Sequence, residues 1–202
     1  MGVSNNSTSF LEEASLACKY TYKSVNKKIK LIRDNVTKIK QLLDELNNNR
    51  KEETIIKELE INFFMFCEGI YSCMEYCSYI LRCYQNSMDK YRGNTTPTGF
   101  NDVLKGYRNN NSKPIYKSIR FTELLSEAMQ WYPLVHDIRS KEIHYSMGQV
   151  EIINDIDVNY ISNIEYGGYR AVGFNLLETN LIFAKFKDFV DKFLYLVDNK
   201  MI

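Results

Sequence analysis

The chain reads as a mainly α protein: an antiparallel helical bundle with two long N-terminal helices, a kinked motif-bearing helix, a small β-hairpin insertion and a C-terminal helix. Three observations predict this: two long apolar seams at helical spacing, a polar break between them, and one late stretch whose period drops to two. Val25, Ile29, Ile32, Val36, Ile39, Leu43 and Leu46 recur at spacings of four and three, the seam of a helix packed along another. They predict a helix from about Phe10 to Leu46. Asn47-Asn-Asn-Arg-Lys-Glu-Glu53 breaks the pattern with turn formers, and the seam resumes at Leu59, Phe63, Phe66, Ile70, Cys73, Cys77, Ile80 and Tyr84. Two long seams joined by a short polar connection predict an antiparallel αα-hairpin.

Residues 92–119 form a basic irregular region, opened by Arg92-Gly-Asn-Thr-Thr-Pro-Thr-Gly99 and holding a short helix near Asn101 to Tyr107 and the breaker run Asn109-Asn-Asn-Ser-Lys-Pro114. Phe121, Leu124, Ala128, Trp131, Val135 and Ile138 mark the next helical pattern, which Pro133 should bend or restart, because proline lacks the backbone donor and crowds the preceding turn. Gly148 is a natural stop. Val158, Tyr160, Ser162 and Ile164 then alternate with Asn159, Ile161 and Asn163, and Gly167-Gly168 precedes a return strand from Arg170, so 157–177 reads as a β-hairpin. Thr179 or Asn180 can cap the last helix, whose stripe is Ile182, Phe186, Phe189, Phe193 and Leu196.

With 202 residues, 45% hydrophobic and 25% charged, the chain suits one globular domain over 1–202 with a flexible N-terminus over 1–9. The net charge of +1 gives no overall pull toward nucleic acid, yet Lys90 to Arg120 holds seven basic residues against Asp102 alone. Five cysteines, an odd number, behind a polar start argue for reduced thiols in a cytoplasmic protein rather than a secreted disulfide framework. No apolar run reaches the roughly 18 residues of a membrane span.

Chemistry concentrates in Arg139-Ser-Lys-Glu-Ile-His144, which holds one of only two histidines. Guanidinium is a permanent cation whose planar donor fork fits phosphate oxygens, and imidazole moves protons near neutral pH. The pair suffices for phosphodiester cleavage without a metal or other cofactor. On a helix, Ser140 and His144 share a face, while positions five apart diverge by about 140°. Arg139 therefore reaches the same space through its long stem, a helix bend or a dimer interface. The alternative is an arginine tied to a carboxylate such as Glu142 or Asp137, with His144 favoured by the helix C-terminal dipole.

With this pair late on a helix of a helical domain, the chain resembles the HEPN superfamily, helical bundles that carry an arginine, a polar residue and a histidine a few positions on. The matching residues are Arg139, Ser140 and His144. Ser140 departs from the usual Asn or Asp, and Tyr145 stands directly after His144 where one branch has tyrosine two positions on. Many members are metal-independent ribonucleases of toxin–antitoxin and phage-defence systems. The resemblance implies His144 as general base or acid, Arg139 as stabiliser of transition-state charge, and Ser140 as orienting group or phosphate donor. It also implies a homodimer lining one cleft with both motifs, and an antitoxin or regulatory partner. Other members bind RNA or protein without cutting, so a non-catalytic dimerisation module is the rival reading.

His136, three before Arg139, is a candidate accessory proton carrier or a structural residue. Lys105, Arg108, Lys113 and Lys117, interleaved with Phe100, Tyr107 and Tyr116, form either an RNA-binding surface of cations and stacking faces or a solvated loop. Cys73 and Cys77 have helical metal-ligand spacing, but they lie on the apolar seam without a second pair, so no metal site is expected. Glu58, Glu60, Glu68 and Glu75 read as a solvated helix face, lacking the Glu-x-x-His elements of carboxylate-bridged bundles. Glycine-rich phosphate loops, nucleophile elbows and zinc-protease motifs are absent.

Overall fold

Every residue of both predicted seams is buried, none more than 7% exposed, and the second seam, Leu59 to Tyr84, is closed to solvent throughout. A computed structural model describes residues 8–48, 53–88, 96–109, 112–144, 148–153, 157–161 and 173–202, and of 141–144 the backbone alone. The described helices are α1 (Phe10–Glu13), α2 (Leu16–Asn48), α3 (Glu53–Ser87), α4 (Phe100–Arg108), α5 (Ile119–Ala128), α6 (Tyr132–His144) and α7 (Thr179–Asp198). A small antiparallel sheet orders β1 (Gln149–Ile153), β2 (Asp157–Ile161) and β3 (Gly173–Asn175) in sequence. The protein is mainly α, with the expected two long helices near its start.

The helix expected from Phe10 is broken at Ala14, whose backbone is extended. Two serines set the break. Ser9 caps α1 through a reciprocal capping box with Glu12, which gives structure to the end of the segment expected to be flexible. Ser15 Oγ then accepts the Cys18 amide at 3.3 Å and starts α2 afresh. Residues 1–7 lie outside the described residues.

The chain groups into two compact units, Met1–Asn26 with Met74–Ala128 and Asp188–Ile202, and Lys27–Cys73 with Met129–Lys187. In the first, Phe10 meets Tyr84 edge-on at 5.4 Å, Phe100 meets Phe189 likewise at 5.4 Å, and Phe121 lies 6.5 Å from Phe193. Gly99 begins α4 without a capping side chain, so Glu75 serves in its place, its Oε1 accepting the Phe100 amide at 3.0 Å. The irregular region thus contains α4 and a 3₁₀ turn over Pro114–Lys117.

Tyr116 packs its hydroxyl onto Gly106 and donates to the Val103 carbonyl at 3.0 Å. Burial, with a smaller contribution from the Asp102 charge, pushes its pKa from 10.0 up to about 12. A folded-state pKa above the unfolded one favours folding while the phenol is neutral. That stability is complete below pH 10 and is lost as pH rises toward about 12. The denaturant midpoint is therefore expected to fall over that window, and to fall less steeply in Tyr116→Phe; parallel curves for the two proteins would sink this account.

In the second unit α2 and α3 run antiparallel, with Ile32 against Gly69 and Lys38 Nζ 2.9 Å from Glu58 Oε2. A Cβ on Gly69 would lie 2.7 Å from Ile32 Cγ1, so the absent side chain sets how closely these helices approach. β2 and β3 pair as the hairpin predicted, Tyr160 opposite Phe174 and Ile161 opposite Gly173. Gly167 and Gly168 lie outside the described residues, as do Ser162 and Ile164. β1 was not foreseen: it pairs along β2 with only Val150 buried, leaving too little alternation to read. Phe63 of α3 anchors the sheet, 4.7 Å from Tyr160 and 4.9 Å from Phe174.

Pro133 stands in the first turn of α6, where its missing N–H has no helical partner to lose, so the motif-bearing pattern restarts as α5 and α6. The expected caps of α7 act differently. Asn175 accepts the Leu177 amide at the head of a 3₁₀ turn over Leu176–Glu178, and Thr179 Oγ1 donates back to the Leu176 carbonyl at 2.6 Å. The stripe from Ile182 to Leu196 is buried as predicted.

Candidate functional site

α6 runs unbroken from Tyr132 to His144 and carries the whole motif. Its arginine is held from α3. Arg139 Nε donates to Glu68 Oε2 at 3.0 Å, and the Ser72 hydroxyl donates to Glu68 Oε1 at 2.9 Å, so each carboxylate oxygen has a partner. The guanidinium carbon lies 4.1 Å from the centroid of the Tyr71 ring, a cation–π contact. Glu68, Tyr71 and Ser72 are spaced to share one face of α3. The ion pair is half-buried, with side-chain exposures of 22% for Arg139 and 30% for Glu68.

α3 thus supplies a carboxylate to Arg139, where the non-catalytic alternative named Glu142 or Asp137. Asp137 instead faces the neighbouring His136, Oδ1 to Nδ1 at 3.4 Å, and the Glu142 side chain lies outside the described residues. The His136 ring packs 5.9 Å from both Tyr71 and Tyr132 and keeps 25% side-chain exposure. Tyr71 therefore contacts both His136 and Arg139. Ser140 is half-buried on α6. The helix backbone reaches His144, whose side chain lies outside the described residues, as do Tyr145 and Ser146.

The acidic run on α3 is a solvated face only in part, Glu58 staying 44% exposed. Glu58 pairs with Lys38, Glu60 accepts the Val150 amide at 2.9 Å, Glu68 holds Arg139, and Glu75 caps α4. Each carboxylate has its own partner, and among the described residues no group of three or more His, Cys, Asp or Glu is arranged to hold a metal ion. Cys73 and Cys77 are fully buried on the seam, and the five cysteines form no disulfide. Burial, reinforced by neighbouring Cys83, pushes the Cys18 thiol up to about 12, which makes it a poor nucleophile.

Lys105, Arg108, Lys113 and Lys117 belong to the first unit, whereas Arg139, Ser140, His144 and His136 belong to the second. Lys105, Arg108 and Lys117 are exposed and Lys113 is half-buried. Their aromatic neighbours are less available than the sequence suggested. Phe100 is a core residue at 1% exposure, and Tyr116 is committed to Val103, so neither offers a free stacking face.

In the sequence Glu68 stands only as one of a series of acids on α3, and no motif singles out Tyr71. The available signal was the spacing of Glu68, Tyr71 and Ser72 just off the apolar seam. No helix among the described residues is long and apolar enough to cross a membrane. No protein-family model, curated protein or solved structure matches this chain.

Proposed function

We propose that this chain is a metal-independent endoribonuclease of the HEPN type, acting as a cytoplasmic homodimer in a prokaryotic toxin–antitoxin or phage-defence setting with an antitoxin or regulatory partner. The observation that carries the reading is the half-buried Arg139 fork, held by Glu68 and Tyr71 on the same unbroken helix as Ser140 and His144. An arginine fixed in this way can meet the charge that develops on a phosphorane without reorganising as the reaction proceeds. His144 takes the ribose 2′-OH proton or supplies a proton to the leaving 5′ oxygen, and Ser140 orients the imidazole or binds a phosphate oxygen. The products are a 2′,3′-cyclic phosphate and a 5′ hydroxyl.

One observation favours a second reading. An arginine paired with a carboxylate and packed on a tyrosine also ties α6 to α3 with no chemistry at all, as a non-catalytic module binding RNA or a protein partner would need. Incubating the purified protein with a mixed structured RNA in EDTA separates the two. Fragments ending in 2′,3′-cyclic phosphate are the expected result. Intact RNA that nevertheless shifts in a binding assay would favour the binding module.

A further inference from the structure

We infer that Glu68 is the positioning residue of this site, fixing the Arg139 guanidinium through Nε so that its Nη1–Nη2 edge is left for a phosphate. The inference rests on the ribonuclease reading for its consequence, but on the described geometry for its cause. A guanidinium offers two flat edges, one shared by Nε and one terminal nitrogen, the other made by the two terminal nitrogens. Glu68 engages the first at 3.0 Å, and among the described residues no other hydrogen bond is made to the fork. The guanidinium carbon also lies 4.1 Å from the centroid of the Tyr71 ring, a second contact on the same group. An Nε contact and a ring contact together leave the side chain little rotation.

Glu68 is itself held, since Oε1 accepts from Ser72 at 2.9 Å while Oε2 serves Arg139. With both oxygens in use, it is poorly placed to act as the general base, and positioning is the role left to it. Its charge also opposes phosphate binding by offsetting that of Arg139. Positioning therefore wins only if orientation matters more than net charge, which makes the sign of the effect decisive: a displacement of about 1 Å at a catalytic group can cost about 100-fold in rate.

The test compares wild type, Glu68→Gln, Glu68→Ala, Arg139→Ala and Glu68→Ala/Arg139→Ala. Three readouts are taken: single-turnover RNA cleavage in EDTA, thermal melting, and the ¹⁵Nε–¹Hε NMR signal of Arg139, assigned by its loss in Arg139→Lys. Glutamine keeps an acceptor for Nε and should stay within about 5-fold of wild type, whereas alanine should lose about 100-fold. The double variant should be no slower than Arg139→Ala alone. The slowly exchanging Nε–H signal should persist in Glu68→Gln and broaden away in Glu68→Ala.

Cleavage by Glu68→Ala at the wild-type rate or faster overturns the proposal, the latter making Glu68 a brake. A fall in melting temperature with unchanged rate below it overturns it too, in favour of a purely structural pair. A wild type that cuts no RNA, with the Nε–H signal still dependent on Glu68, rejects the ribonuclease reading while Glu68 remains the group that holds Arg139. A signal that survives in Glu68→Ala removes Glu68 from that role whatever the RNA does.

Discussion

Replacing His144 with alanine is expected to slow metal-free RNA cleavage by about 10²–10⁴-fold, the range over which a positioned proton-transfer group contributes. Arg139→Ala should cost about 10²–10³-fold, as loss of a charge-stabilising donor does, and Arg139→Lys should restore little, because an ammonium lacks the planar fork. If the two groups work as one unit, the double variant should be only slightly slower than the worse single one. Their effects on stability should differ. His144 is the last residue of α6, where a helix end tolerates substitution, so its melting curve should stay close to wild type. Arg139→Ala leaves Glu68 half-buried without its cation, and a modest loss of about 1 kcal/mol follows from an ion pair of that exposure. Rate constants measured well below the melting transition, alongside melting curves, check both statements. Unchanged cleavage in His144→Ala would sink the catalytic assignment and leave the module reading.

The seams show why much of the fold was legible in the sequence. Leu59, Phe63, Phe66, Ile70 and Cys73 are fully buried because α3 is covered along that line, and a helix covered along a line must repeat its apolar residues at helical spacing. Local capping competes with that signal and is harder to read. The break at Ala14 depends on two serine side chains choosing backbone partners, which periodicity does not register. β1 depends on β2 for its hydrogen bonds and on Glu60 for an anchoring acceptor, so its own five residues carry little of its cause.

The site divides in the same way. Arg139, Ser140 and His144 were legible because they are contiguous in one helix and chemically distinctive. Glu68 lies 71 residues from its partner, so its role follows from how α3 meets α6 rather than from any local pattern. The nearby acids Glu142 and Asp137 were the natural candidates by sequence distance. Described contacts show that Asp137 turns to His136, while α3 supplies the carboxylate to Arg139.

Phe63→Ala is the substitution expected to cost most stability, about 3–5 kcal/mol, because it removes a fully buried aromatic and leaves a cavity that its neighbours can fill only in part. The ring is stacked on Phe174 at 4.9 Å, tilted against Tyr160 at 4.7 Å and stacked near Phe66 at 5.9 Å, so one truncation unseats two strands from α3 at once. Ile61, two residues earlier and 53% exposed, supplies the control: Ile61→Ala should stay within about 0.5 kcal/mol. Urea unfolding of the three proteins at one pH measures the difference, with an unchanged slope showing that the same surface is exposed. A small loss in Phe63→Ala would mean that the sheet contributes little and that Glu60, through the Val150 amide, holds it instead. A large loss with cleavage retained at low temperature would separate the two tasks of α3. Its apolar face would then hold the sheet, and its Glu68–Ser72 face would serve the site.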